Sequence, residues 1–248
     1  MSEWGEIIVG ILNHLSPAYV GVCMLIFAYG SLWVLDYIWG ALGVCVYTII
    51  VALVANIQVL KWVKFIFLPH PIAMGTAIFS TLFLASDLLV EKYGLSWAKR
   101  SIALTFVAQG VFAVLMFLTM GMQGHEATAH VQEAFSIVFM PSLKLWVAGL
   151  IAFFVSQLLD VSLYQWIKDF FKGRFLWLRA GVAYALAALC DNIIFSMLAW
   201  RLLANEPIEW SILWQTYILG GYGLRLVFGG LNIGLLYLYT KRSLLSEQ

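Results

Sequence analysis

Seven apolar stretches follow one another along the 248 residues, and they constrain the fold more than any other feature. They run over 18–38, 41–60, 71–91, 101–122, 144–167, 179–202 and 211–239. A helix needs about 20 mostly apolar residues to cross the hydrocarbon of a bilayer. Hydrocarbon offers free peptide groups no partners, so a crossing segment must satisfy its own hydrogen bonds as a helix. Composition agrees: 63% of residues are hydrophobic and 11% charged, where a soluble domain carries about 25% charge. The expected fold class is an all-α polytopic membrane protein with the lipid bilayer as its surroundings. A net charge of +1 provides no basic surface, so nucleic acid is not expected as a partner.

The connections are short. Residues 1–17 read as interfacial, and Met1-Ser2-Glu3-Trp4-Gly5-Glu6 has neither the Lys or Arg nor the small-residue cleavage pattern of a signal peptide. Trp39-Gly40 makes a very tight first turn, and Pro69-His70-Pro71 ends the second break, where the prolines bias the chain away from helix. The longest loop, 123–142, contains a stretch, Glu126–Phe139, that reads as a short amphipathic helix lying on the membrane surface; Pro141 precedes the fifth span. His70 reads as a turn residue, and His125 and His130 as surface residues. Cys23, Cys45 and Cys190 lie in apolar runs without CxxC spacing, which points to helix packing and to no metal or disulfide. Many of the eleven Trp and eleven Tyr fall near segment ends, as interfacial belts require.

Lys and Arg are unevenly distributed. Lys92, Lys99, Arg100, Lys168, Lys172, Arg174, Arg179, Lys241 and Arg242 fall on one side, against Lys61, Lys64, Lys144 and Arg201 on the other. The positive-inside rule puts the C-terminus in the cytoplasm and, with seven spans, the N-terminus outside. The expected organisation is an N-terminal segment, 1–40, with an extra crossing helix, a six-helix core, 41–242, and a cytoplasmic tail, 243–248. Six helices divide as three plus three, the geometry of inverted-repeat transporters. Asp87 and Asp191 occupy the second span of each half, each after a small residue, which is compatible with a repeat and too little to establish one.

A carboxylate at the centre of a spanning helix costs about 2.5–3.5 kcal/mol on insertion scales. Each therefore calls for a partner, water or a ligand. Asp87 and Glu91 share a face of the third span at i and i+4. Ser156, Gln157 and Asp160 form one stripe of the fifth. The sixth carries Asp191 and Asn192, the second ends with Asn56, and the seventh holds Arg225 beside Gly220, Gly221, Gly223, Gly229 and Gly230. Each has a structural alternative. Asp160 or Asp191 can pair with Arg225, and Glu91 with Lys92 or Arg100 at a solvated helix end. The amides can be glue between helices and the glycines packing points.

The inventory lacks HExxH, GxSxG and any phosphate-cradling loop, so an enzyme is not expected. No cofactor is implied. Carboxylates and carboxamides flanked by aromatic residues suit a flat ligand with several donors, such as a guanine-like edge. Amines, cations and nucleobases all satisfy that description.

Several of these segments, in order and spacing, resemble one family. They are Val54-Ala55-Asn56-Ile57-Gln58-Val59-Leu60-Lys61, Gly75-Thr76-Ala77, Ser86-Asp87-Leu88-Leu89-Val90-Glu91-Lys92-Tyr93-Gly94 with Ala98-Lys99-Arg100, Ser156-Gln157-Leu158-Leu159-Asp160-Val161, Trp177-Leu178-Arg179, and Asp191-Asn192-Ile193-Ile194-Phe195. The resemblance is to the queuosine precursor transporters, also called the vitamin uptake transporter family, and covers roughly 50–240. It implies uptake of a 7-deazaguanine (preQ0, preQ1 or queuine) for tRNA queuosine synthesis or salvage. Members typically have six spans, so 18–38 is an addition, and Asn192 stands where Thr or Ser is frequent. On this reading Asn56, Asp87, Gln157, Asp160, Asp191 and Asn192 bind substrate. Glu91 and Arg100 gate the cytoplasmic mouth, and Arg225 holds a buried carboxylate charged. The rival reading is a substrate-capture subunit with a separate energising module, docked through Ala148-x-x-x-Ala152; transport of another small nucleobase or vitamin, and a homodimer, are also open.

Overall fold

The computed structural model describes residues 3–65, 72–139, 142–204 and 206–245. Ten α-helices are formed among them: α1 Glu3–His14, α2 Pro17–Trp39, α3 Ala41–Gln58, α4 Gly75–Lys92, α5 Leu95–Gly121, α6 Ala129–Phe139, α7 Ser142–Phe170, α8 Leu176–Met197, α9 Trp210–Ile212 and α10 Gly220–Leu245. A π-helical stretch, Leu198–Leu202, continues α8, and another, Leu213–Leu219, joins α9 to α10. Two-residue strands, β1 Trp62–Val63 and β2 Ile72–Ala73, pair antiparallel between α3 and α4. Pro69, His70, Pro71 and Pro141 lie outside the described residues.

Six helical segments among the described residues are long and apolar enough to cross a membrane: Pro17–Trp39, Ala41–Gln58, Leu95–Gly121, Lys144–Phe170, Leu176–Leu202 and Trp210–Thr240. The protein is an all-α polytopic membrane protein. The third apolar stretch of the sequence, now α4, is not among the six, because Asp87, Glu91 and Lys92 interrupt it. Fourteen of its eighteen residues are buried, and α2, α3, α5, α7 and α10 pack around it. A helix with three charges tolerates membrane depth because its neighbours, and not lipid, surround it. On α5, by contrast, Leu104, Val107, Val111, Val114 and Leu118 lie exposed along one face, a surface that lipid covers.

Lipid tails are as apolar as leucine, so the bundle is held by close packing and polar contacts. Small residues permit the close packing. Ala180, Ala183, Ala187 and Ala188 are buried on α8, beside α7 and α10. A Cβ on Gly229 of α10 would come within 2.6 Å of the Tyr184 ring, so this glycine of the run is a packing point. Ala148 and Ala152 are buried inside the chain. Their face is already used and offers no docking stripe to a partner helix, which corrects that expectation.

The tight turn between α2 and α3 is a single residue, Gly40, at φ 57° and ψ −136°, a conformation that excludes a Cβ. It folds α2 back onto the bundle. The Tyr29 hydroxyl donates to Asn232 Oδ1 (2.9 Å), whose Nδ2 donates to the Ser80 carbonyl (2.9 Å), and the Tyr239 hydroxyl donates to the Tyr29 carbonyl (2.6 Å). The expected surface helix forms as a 3-10 turn, Glu126–Thr128, followed by α6, with His125 Nδ1 accepting from the Ala127 amide at 3.2 Å. Phe139 of α6 leans towards Phe112, which stacks on Trp146 at 5.0 Å between ring centroids.

Candidate functional site

Polar side chains form a ladder through the bundle, one rung above another, from the C-terminal end of α4 to the C-terminal end of α3. The lowest rung centres on Glu91. Its Oε1 accepts from Arg179 Nη2 at 2.7 Å, and its Oε2 accepts from the Tyr164 hydroxyl at 2.9 Å and faces Lys168 Nζ at 3.2 Å. Arg179 is 3% exposed and also donates to the Gly173 carbonyl at 2.7 Å, so it ties the α7–α8 turn to α4. The sequence counts Arg179 with the loop cations and puts Lys92 or Arg100 beside Glu91. Instead, Lys92 pairs with Asp36 of α2 at 2.5 Å, joined there by the Tyr93 hydroxyl at 2.8 Å. Arg100 is exposed and lies over the Trp97 ring, 5.7 Å from its centroid. The lone Asp36 in an apolar run is the same kind of signal that flags Asp87. No motif surrounds it, so only its place in the fold reveals its partners.

One turn back along α4 lies Asp87, with Asp160 of α7 beside it; they are 3% and 0% exposed. Asp160 Oδ2 accepts from the hydroxyl of Ser86, the neighbour of Asp87, at 3.0 Å. The two carboxyls are near enough to interact electrostatically. Asp87 Oδ1 and Asp160 Oδ1 are buried without a hydrogen-bond partner, as is Nε2 of Gln157. Gln157, Ser86, Thr48, Ser101 and Thr105 line a small cavity of about 10 Å³, at the lower limit for one water molecule. Thr48 Oγ1 bonds the hydroxyls of Ser101 and Thr105 at 2.8 and 3.1 Å on its α5 wall.

The third rung joins α7, α8 and α10. Asp191 Oδ2 accepts from Arg225 Nη1 at 2.5 Å and Oδ1 accepts from the Ser156 hydroxyl at 3.2 Å. The Arg225 guanidinium lies over the Phe79 ring, 5.5 Å from its centroid. Phe83 stands edge-on to Phe79 and to Tyr184 at 6.0 and 5.0 Å. Asn192 Nδ2 donates to the Ile218 carbonyl at 3.1 Å, inside the π-helical stretch. Such stretches are frequent at functional sites, because one widened turn redirects backbone groups. At the far end Asn56 Nδ2 donates to Gln109 Oε1 at 2.6 Å. Gln109, like Asp36, is a solitary polar residue in an apolar run, with no motif to mark it.

The six amide and carboxylate candidates thus occupy three levels of one column, not a single cluster. Among the described residues no three His, Cys, Asp or Glu side chains are grouped to hold a metal ion. The arrangement sets hydrogen-bond acceptors and paired charges in the interior of the helix bundle. Residues 73–239 match the family described as "Putative vitamin uptake transporter". The "Probable queuosine precursor transporter" of Bacillus subtilis (strain 168) is 32% identical over 186 residues, which cover 73% of this chain and 78% of that protein. No solved structure matches. The chain is a membrane transporter and belongs to the vitamin uptake transporter family.

Proposed function

We propose that this transporter imports a queuosine precursor, a 7-deazaguanine such as preQ0, preQ1 or queuine, across a bacterial inner membrane. The observation that carries the reading is the third rung. Asp191 offers a carboxylate, ion-paired with Arg225, next to the carboxamide of Asn192 and the rings of Phe79, Phe83 and Tyr184. A guanine-like edge presents adjacent N–H and NH₂ donors that one carboxylate accepts together, and a carboxamide complements a remaining edge. The name of the Bacillus relative supports the same substrate class. Asn56 and Gln109 form the far approach to this rung, and Glu91 with Arg179 and Lys168 the near gate. The C-terminus lies in the cytoplasm, residues 1–40 are an addition to a core of 41–242, and the two halves rock about the ladder for alternating access. Uptake of radiolabelled preQ0 by cells unable to make it tests the reading. Expression of the chain restores uptake, and Asp191→Asn with Asn192→Ala abolishes it; undiminished uptake by that double variant removes the third rung as the substrate site.

A further inference from the structure

We propose that Asp87 and Asp160 share one proton and form the energy-coupling site of the transporter, separate from the substrate rung and resting on the transport reading above. Charge accounting carries the argument. Among the described ion pairs, Lys92 neutralises Asp36 and Arg225 neutralises Asp191. The remaining cluster contains Glu91, Asp87 and Asp160 against Arg179 and Lys168, both of which contact Glu91. Three carboxylates against two cations leave one negative charge in a buried environment, and the group that carries it must neutralise or find a counter-ion. One proton on the Asp87–Asp160 pair brings the cluster to zero.

The surroundings fit a proton that moves. Asp87 Oδ1 and Asp160 Oδ1 have no hydrogen-bond partner, and neither has Nε2 of Gln157, one turn from Asp160 and 2% exposed, in the wall of the cavity that Ser86 also lines. Other charged and titratable groups stand on the helices packed around the pair. On α4 it is Glu91. Tyr164 and Lys168 stand on α7, and Arg179 and Tyr184 on α8. On α3 Tyr47 donates to Thr81, and on α10 Arg225 is engaged with Asp191. The α2 groups, Asp36 and Tyr29, are bonded to Lys92 and Asn232, while α5 presents Ser101 and Thr105 hydroxyls to the cavity. In the transport cycle a carboxylate of the pair takes up one proton on the outer side and becomes a carboxylic acid. It returns that proton on the inner side, where the Glu91 cluster opens.

The experiment uses purified full-length protein in vesicles with radiolabelled preQ0 as probe. With the membrane potential clamped, an inward gradient of one pH unit is expected to drive about tenfold accumulation at one proton per molecule, since tenfold in concentration balances tenfold in proton activity. An equal sodium gradient is expected to drive none. In Asp87→Asn and in Asp160→Asn the ratio of gradient-driven accumulation to counterflow exchange falls to near that without a gradient. Accumulation driven by sodium and not by protons overturns the proposal. An infrared measurement on the same protein needs no substrate. Wild type at neutral pH shows a buried protonated-carboxyl band, and either single Asn variant removes it by returning the cluster to neutrality. Absence of the band, or its survival in both variants, overturns the shared proton. Wild type without counterflow but with that band sinks the substrate reading alone.

Discussion

Glu91 and Arg179, 88 residues apart, meet at 2.7 Å at the base of the ladder, and the contact joins α4, α8 and the turn that precedes α8. Arg179→Gln leaves Glu91 with the Tyr164 hydroxyl and Lys168 as its one cation, and removes the donor to Gly173. Breaking one side of a buried pair costs about 3–5 kcal/mol, whereas removing both charges costs less. The expected result is a large drop in the melting temperature of detergent-solubilised Arg179→Gln and partial recovery in Glu91→Gln with Arg179→Gln. Thermal unfolding of both variants and of Glu91→Gln alone provides the measurement, and additive losses would contradict the pairing.

Asp36 binds α2 to the C-terminal end of α4 through Lys92 and Tyr93. Asp36→Asn keeps the shape but removes the charge, and leaves Lys92 partly buried without its counter-ion. A loss of about 1–3 kcal/mol is expected for such a stranded polar group, with α2 released more readily to protease. A wild-type digestion pattern would show that the helix is held mainly by the Tyr29, Asn232 and Tyr239 contacts.

Arg225→Gln strands Asp191 within the bundle and is expected to be more destabilising than Asp191→Asn with Arg225→Gln together. Both should lower preQ0 uptake at least about tenfold, the equivalent of losing roughly 1.4 kcal/mol of substrate interaction. Melting and uptake, measured side by side, separate the structural effect from the binding effect. Recovery of stability together with full uptake in the double variant would dismiss this rung from recognition.

Gly229 and Gly230 are neighbours on α10 with opposite demands. A methyl group at 229 strikes the Tyr184 ring, while one at 230 meets nothing within 4 Å. Gly229→Ala is therefore expected to cost about 1–3 kcal/mol through forced movement of packed groups. Gly230→Ala should be neutral, or slightly stabilising through helix propensity. Equal melting temperatures for the two variants would refute the close approach of α8 and α10.

Much of this was legible in the residues before any coordinates. The apolar stretches give the helices, with ends that move by several residues: α5 begins at Leu95, not at 101, and α7 reaches Phe170. Helices extend beyond the hydrocarbon wherever propensity and packing permit, and apolar length does not report that extension. The i and i+4 spacing of Asp87 and Glu91 placed both on one buried side of α4. Their different fates did not follow from spacing, because Glu91 pairs with cations on α7 and α8 while Asp87 takes part in none of the described ion pairs.

The chain alone determined that this is a helical membrane protein, that Asp87, Asp160 and Asp191 sit within helices, and which family its motifs resemble. Those properties are local: a run of apolar residues, or a short motif, has the same meaning wherever the chain goes next. The tertiary structure decided which charges meet. Lys92 turns to Asp36, 56 residues back, and not to Glu91 beside it; Arg179 leaves its expected loop to become the buried partner of Glu91. Coulomb attraction and hydrogen bonding act across a few ångströms of space, whatever the separation along the chain. Only the packing of α2 and α7 against α4, with α8 beside α7, could settle which cations pair with which carboxylates, and among the described ion pairs Asp87 and Asp160 have none.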